Sequence, residues 1–340
     1  MHLEIPLTDR DAPSTSARAW RLWVIVTCVA IGLIVAWREF RQVDVPTWPA
    51  SCVEFEIEPD GQRCIGAQAK VANRPLLVSL HTWSGDYRQF DSLAAWAIRN
   101  DWNYIHPDFQ GPNVSERACL SGEVIRDIDQ AIDWAIERWG ADRDRIQVVG
   151  ESGGGHAALG YWIAGKHPIA STQAWCAMTD LIAWHAECAA SDIPKFRQHA
   201  DDIMRCTGSV ASLNQEQAAL RSPLHMPLPE RARGALSIFA GITDGQPNAD
   251  PRGPVPVSPS IRFFNRVAAV HGTPGIEDAL AMTFQHANFP WPKSTEMFGG
   301  RRVALRRQSK NVTVVLFDGG HERLDGVVVE LLSQAGTSPR

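Results

Sequence analysis

The chain has no basic stripe, no metal-spaced cysteine pair and no internal repeat, and each absence removes a class of function. Lys and Arg number 33 against 38 Asp and Glu, for a net charge of −5. The positive field that gathers nucleic acid is missing, so no nucleic-acid partner is expected. The seven cysteines, at 28, 52, 64, 119, 176, 188 and 206, include no close pair of the kind that opens a zinc site, and no metal is expected. Without a repeat, solenoid and array architectures fall away. What remains is ordinary globular material: 340 residues, 44% hydrophobic and 21% charged. That length suits one large α/β domain or two ordinary ones. The thirteen tryptophans leave two readings open, packing and aromatic platforms for sugar rings.

There is one long apolar run. Leu22 to Trp37 carries no charge and would span about 24 Å as a helix, slightly under a bilayer core. Trp20, Trp23 and Trp37 sit at its ends, where interfacial rings belong. Arg10, Arg18 and Arg21 precede it, Arg38 and Arg41 follow, and no small-x-small cleavage site comes after it. The expectation is a polar, disordered tail over 1–17, an uncleaved transmembrane signal-anchor over 18–38, and a linker with N-terminal strands over 39–74. The catalytic domain would occupy 75–337, anchored to the membrane on its extracytoplasmic side. Outside Cys28, an even number of cysteines suits disulfides in an oxidising compartment. Proximity in sequence pairs Cys52 with Cys64 and Cys188 with Cys206, leaving Cys119 with Cys176.

Short apolar runs alternate with helical patterns through the rest. Strands are expected over 53–57, 75–81, 102–106, 145–149, 170–178, 235–240 and 311–317, and helices over 93–98, 123–139, 155–164 and 324–332. Ser121 should cap the second helix and Gly140 stop it. Residues 181–233 read as mostly helical, and 246–310, rich in Pro and Asn, as a cap or rim. Alternation of this kind specifies an α/β fold with a doubly wound, mostly parallel sheet and a helical or loop cap.

Sites in such sheets lie at the carboxyl ends of the strands, and four loops there carry chemistry. Gly150-Glu151-Ser152-Gly153-Gly154 is a Gly-x-Ser-x-Gly elbow between a strand and a helix. A serine hydroxyl needs a base to take its proton, and His321 in Gly319-Gly320-His321 is placed to do so. Asp244, in Thr243-Asp244-Gly245, can orient the imidazole and stabilise its charged form. Gly153 N–H would be one oxyanion donor, at a helix N-terminus, with a second from the loop after His81, Trp83 N–H or Thr82 N–H. Asp180 and Asp318 are the competing acids and His286 the competing base. His81, His106 and His156 are expected to support the site, and Glu151 faces either its mouth or solvent. Asn113-Val-Ser and Asn311-Val-Thr match glycosylation acceptors.

These residues carry a resemblance. With His81-Thr-Trp-Ser-Gly85, the elbow, Thr243-Asp244-Gly245 and Gly319-Gly320-His321, the chain from Pro75 to about Leu332 resembles an α/β-hydrolase of the prolyl-oligopeptidase-like and polysaccharide-esterase branch. The resemblance implies a serine hydrolase without a cofactor, acting through Ser152, Asp244 and His321 by way of an acyl-enzyme. Two departures stand out: Thr82 replaces the glycine of the usual His-Gly oxyanion loop, and there is no match to a seven-bladed propeller. Carboxylic esters, including acyl groups on small-molecule or polysaccharide substrates, are the expected class. A peptidase, or a surface binding protein that keeps the fold, are the alternatives.

Overall fold

A computed structural model describes residues 46–229, 233–285, 291 and 296–337. The expected tail (1–17), the membrane segment (18–38) and His286 lie outside these residues. Among the described residues, no helix is long and apolar enough to cross a membrane.

Ten strands form the sheet, in the order β1-β2-β4-β3-β5-β6-β7-β10-β9-β8. They are β1 (Val53–Ile57), β2 (Gln62–Ala67), β3 (Leu76–Leu80), β4 (Asn103–Pro107), β5 (Ile146–Glu151), β6 (Ser171–Trp175), β7 (Ala235–Gly241), β8 (Met297–Phe298), β9 (Arg301–Ser309) and β10 (Val312–Phe317). The run β4-β3-β5-β6-β7-β10 is parallel. The flanking strands β1, β2, β9 and β8 are antiparallel to their neighbours. β3 and β4 are buried at every position, as strands covered on both faces must be.

The helices are α1 (Leu93–Arg99), α2 (Gly122–Trp139), α3 (Gly153–Ala164), α4 (Leu181–Ala189), α5 (Pro194–Cys206), α6 (Gln215–Leu220), α7 (Ser258–His271), α8 (Asp278–Gln285) and α9 (Asp325–Thr337). One face of the sheet packs Leu76, Val78 and Val148 on α2 and α3, and Ile238 and Val314 on α3 and α7. The other packs Leu77, Val149, Trp175 and Phe317 against α1 and α9. The sheet is thus doubly wound around its central strand, β5, and the nucleophile candidate follows that strand. Local signals fix α2: Ser121 accepts from Glu123 N–H and Val124 N–H, and Gly140 ends it at φ 63°. Left-handed backbone of that kind is where glycine costs least.

Two expectations need correction. Residues 246–310 are not a cap alone, because α7 packs on the sheet and β9 extends it. Strand β2, which lies in the stretch 39–74 read as linker and N-terminal strands, joins β1 to the sheet through β4. The disulfide is Cys119–Cys206, while Cys52, Cys64, Cys176 and Cys188 are free thiols. The physical reason is register. Cys64 stands opposite Phe55 in the β1–β2 ladder, so Cys52, one residue before β1, has no access to it. The pair that does form lies 87 residues apart in sequence.

Helices α4, α5 and α6 form an insertion with an apolar centre of its own. Leu181, Trp184, Phe196 and Ile203 pack there around Trp83.

Candidate active site

The elbow is tight for a steric reason. A Cβ on Gly150 would come within 2.1 Å of Gly154 O, and one on Gly154 within 2.2 Å of Leu80 O. No side chain fits either place, so β3, β5 and the start of α3 approach at backbone distance. Ser152 sits between them at φ 55°, ψ −117°, a conformation costly for a residue with a Cβ and typical of strained functional turns. It is held there by two backbone bonds, Ser152 N–H to Trp175 O (2.8 Å) and His156 N–H to Ser152 O (2.9 Å). The serine is only 8% exposed.

Asp244 follows β7 and His321 follows β10. Their side chains meet: His321 Nδ1 lies 2.6 Å from Asp244 Oδ2. The acid is 1% exposed. Burial pushes its carboxyl above the usual range, and the bond from His321 opposes that shift. Val255 N–H also donates to Asp244 Oδ1, at 3.2 Å. A Cβ on Gly253 would fall 2.0 Å from Asp244 Oδ1 and 2.8 Å from His321 Cβ, so bare backbone covers the pair. Beneath it lies Cys176, whose Sγ is 3.7 Å from Gly320 O and 3.5 Å from Glu322 O. Cys176, Asp244 and His321 are also the one grouping among the described residues whose ligand atoms, all within 4.8 Å, could hold a metal ion.

The structure separates the competing candidates. Asp180 caps α4, accepting from Ile182 and Ala183 N–H, and pairs with Arg262 at 3.2 Å, away from His321. Asp318 makes no bond to His321 among the described residues. His156 donates from Nδ1 to Met178 O (2.8 Å), and burial lowers its pKa to about 4. His81 stacks on Phe109 at 3.9 Å, its ring nitrogens 3.0 and 2.8 Å from the carbonyls of Thr82 and Asp108. His106 is buried, and neither ring nitrogen has a hydrogen-bond partner among the described residues. Glu151 is largely buried, which raises its carboxyl pKa. Asn113 is 4% exposed with its amide nitrogen bonded to Trp83 O, so it is closed to glycosylation. Asn311 likewise spends its amide nitrogen on Arg233 O and Gly234 O.

The two oxyanion candidates differ in their bonds. Thr82 N–H donates to Gln89 Oε1 at 3.0 Å. Trp83 is 3% exposed, and its N–H has no acceptor among the described residues. Buried, orphaned backbone N–H groups are rare. This one abuts Gly153, where a Cβ would lie 2.4 Å from Trp83 N. Gly153 opens α3, so its own N–H has no intrahelical partner either. Two unspent donors therefore adjoin, next to the serine. Beside His321 opens a cleft of about 940 Å³ lined by Thr243, Arg252, Pro254, Arg301, Arg302 and Glu322, among others.

This arrangement is the α/β-hydrolase fold. No protein-family model matches the sequence, and no curated protein matches it. Among solved structures, the chain is similar to the acylaminoacyl peptidase of Pyrococcus horikoshii, at 15% identity and a TM-score of 0.56, over 91% of this chain and 44% of that one. It is similar to a puromycin hydrolase at 17% identity and a TM-score of 0.54, over 84% of this chain and 39% of that one. A third is prolyl oligopeptidase B of Galerina marginata bound to a 35mer substrate, at 14% identity and a TM-score of 0.53, over 84% and 36%. The chain thus spans less than half the length of these structures.

Proposed function

We propose that the chain is a serine hydrolase that cleaves peptide or other amide bonds through an acyl-enzyme. The observation that carries this is the Asp244–His321 pair at 2.6 Å, taken with Ser152 on a strained elbow and the N–H groups of Gly153 and Trp83 beside it. Ser152 attacks the carbonyl carbon, and His321 takes the hydroxyl proton. Asp244, bonded to Nδ1, leaves Nε2 as the basic nitrogen and stabilises the imidazolium. The oxyanion settles on Trp83 N–H and Gly153 N–H, each donor contributing roughly 3 kcal/mol of transition-state stabilisation. His321 then protonates the leaving group, and water repeats the sequence on the acyl-enzyme.

The choice of amide over ester rests on the similar structures, which are named as peptidases or as a hydrolase of puromycin. The expected ester substrate remains the second reading, because the same geometry serves either leaving group. A fluorophosphonate probe should label the protein at Ser152 and leave Ser152→Ala unlabelled; equal labelling of both overturns the hydrolase reading. Turnover of acyl-aminoacyl anilides at a rate comparable to p-nitrophenyl acetate supports the amide assignment, and turnover of the ester alone reverses it.

The membrane-anchored, extracytoplasmic placement is a further part of the proposal. It is supported by the apolar run Leu22–Trp37 and by a disulfide of the kind oxidising compartments maintain. Removal of residues 1–42 should release the protein from membranes into the soluble fraction; retention there counts against the anchor.

A further inference from the structure

Trp83 has three polar atoms, and the structure spends two of them. Its carbonyl accepts from Asn113 twice, from the backbone N–H at 2.9 Å and from Nδ2 at 3.2 Å. Its indole Nε1–H donates to Asp202 Oδ2 at 3.3 Å. Only the backbone N–H is left over. Asp202 is itself fixed: it is 3% exposed, and its other oxygen accepts from Gln198 at 3.0 Å and from Arg205. The indole is wedged edge-on against Trp184, with ring centroids 4.9 Å apart.

The two segments that grip Trp83 are joined covalently. Asn113 Oδ1 accepts from Cys119 N–H at 2.7 Å. Cys119 is bonded to Cys206, and Cys206 lies one helical turn along α5 from Asp202. A closed ring therefore runs from Trp83 through Asn113, Cys119, Cys206 and Asp202 back to the indole. Burial alone asks for a partner at each of these polar atoms; what is particular here is that both partners belong to one covalently closed ring.

We propose that Asp202 is a positioning residue for oxyanion stabilisation, acting through the Trp83 indole to aim the Trp83 N–H, and that the disulfide-closed ring makes the α4–α6 insertion part of the catalytic apparatus. This rests on the serine-hydrolase reading above. Rotation of the Trp83 peptide would swing the N–H away from the developing charge without changing the substrate surface. The expected signature is a loss in kcat with KM little changed.

The test uses the full chain and the substrate that the wild type turns over fastest. Trp83→Phe keeps an aromatic ring, smaller than the indole, and deletes the indole N–H; Asp202→Ala deletes its acceptor; Asp202→Asn keeps a carbonyl oxygen able to accept. Trp83→Phe and Asp202→Ala should each lower kcat on the order of tenfold, a fraction of the effect of losing a whole donor. The double variant should be no slower than the worse single one, since both cut the same bond. A trifluoromethyl ketone, which needs the oxyanion donors once it adds to Ser152, should bind those variants more weakly by the same factor. Asp202→Asn should restore most of the activity. Should Asp202→Ala fail to fold, Trp83→Phe and Asp202→Asn still decide. Independent, multiplying losses, a fall expressed in KM alone, or wild-type kcat in Trp83→Phe overturns the proposal. Absence of Ser152-dependent turnover in the wild type overturns the hydrolase reading together with it.

Discussion

Ser152 and Trp83 lie at the ends of paired strands, β5 and β3, yet they are held in place by different means. The serine is held by an absence of side chains. Gly150, Gly153 and Gly154 let three backbones close to contact, and the geometry is local to a few residues. The tryptophan is held by side chains drawn from afar, Asn113 from one loop and Asp202 from α5, with a disulfide closing the circuit. A site can therefore have one half built by exclusion and the other by tethering. The two should fail differently: the first by loss of the fold, the second by loss of aim.

The largest test of this contrast is chemical. Ser152→Ala or His321→Ala should lower kcat on the order of 10⁴- to 10⁶-fold while the thermal midpoint stays near that of the wild type. An unchanged rate would place the nucleophile elsewhere. Next comes Gly154→Ala, whose Cβ would overlap Leu80 O at 2.2 Å. It should cost more than roughly 4 kcal/mol and show in denaturant unfolding or in failure to recover soluble protein. Replacement of both Cys119 and Cys206 by Ser should cost about 4.6 kcal/mol, the chain-entropy value for a loop of this length. The released chain should still fold, with its activity reduced more than its secondary structure.

Acid distinguishes the halves more gently. His156, behind the elbow, and His106, on β4, are held by burial at pKa values of about 4, against about 6.5 in the unfolded chain. Between those values the unfolded state binds more protons, so stability is full above about pH 6.5 and falls as the pH drops toward 4. The loss should be on the order of a few kcal/mol, and His156→Gln should flatten the fall in midpoint measured between pH 7 and 4. Smallest of all, Gly272→Ala, at φ 67° with open space around it, should cost only about 1–2 kcal/mol, the penalty of backbone sign without the clash that Gly154→Ala meets.

The half built by exclusion was the legible one. Gly-x-Ser-x-Gly is short-range, and the strand and helix around it carry their own patterns, as do Ser121 and Gly140 at the ends of α2. The acid and histidine announce themselves by following strands in order, and their side chains do meet. The tethered half left no such trace. Asp202 is one of several charged residues in a polar helix, and Asn113 looks like a glycosylation acceptor. Which cysteine Cys119 would meet depended on packing that brings α5 to the loop before α2, a contact nearly ninety residues away that nearest-neighbour pairing cannot see. β9 escaped for a related reason: solvent-facing arginines on either side of Val303-Ala304-Leu305 hide that buried triplet behind a polar signature. Thr82, the departure from the usual oxyanion loop, became intelligible once Gln89 was seen to hold it.

Gly253 carries a consequence of a different order. At Gly253 the loop that crosses Asp244 and His321 meets them with main chain, and Val255 N–H bonds the acid, so on this side the carboxylate faces peptide groups where a gap would have admitted solvent. A carboxylate kept dry in this way exerts its charge on the imidazole at full strength, while any larger residue at 253 would lift the loop and let water in. Hydration of the acid is thus set by one hydrogen atom on a loop that holds none of the reacting groups.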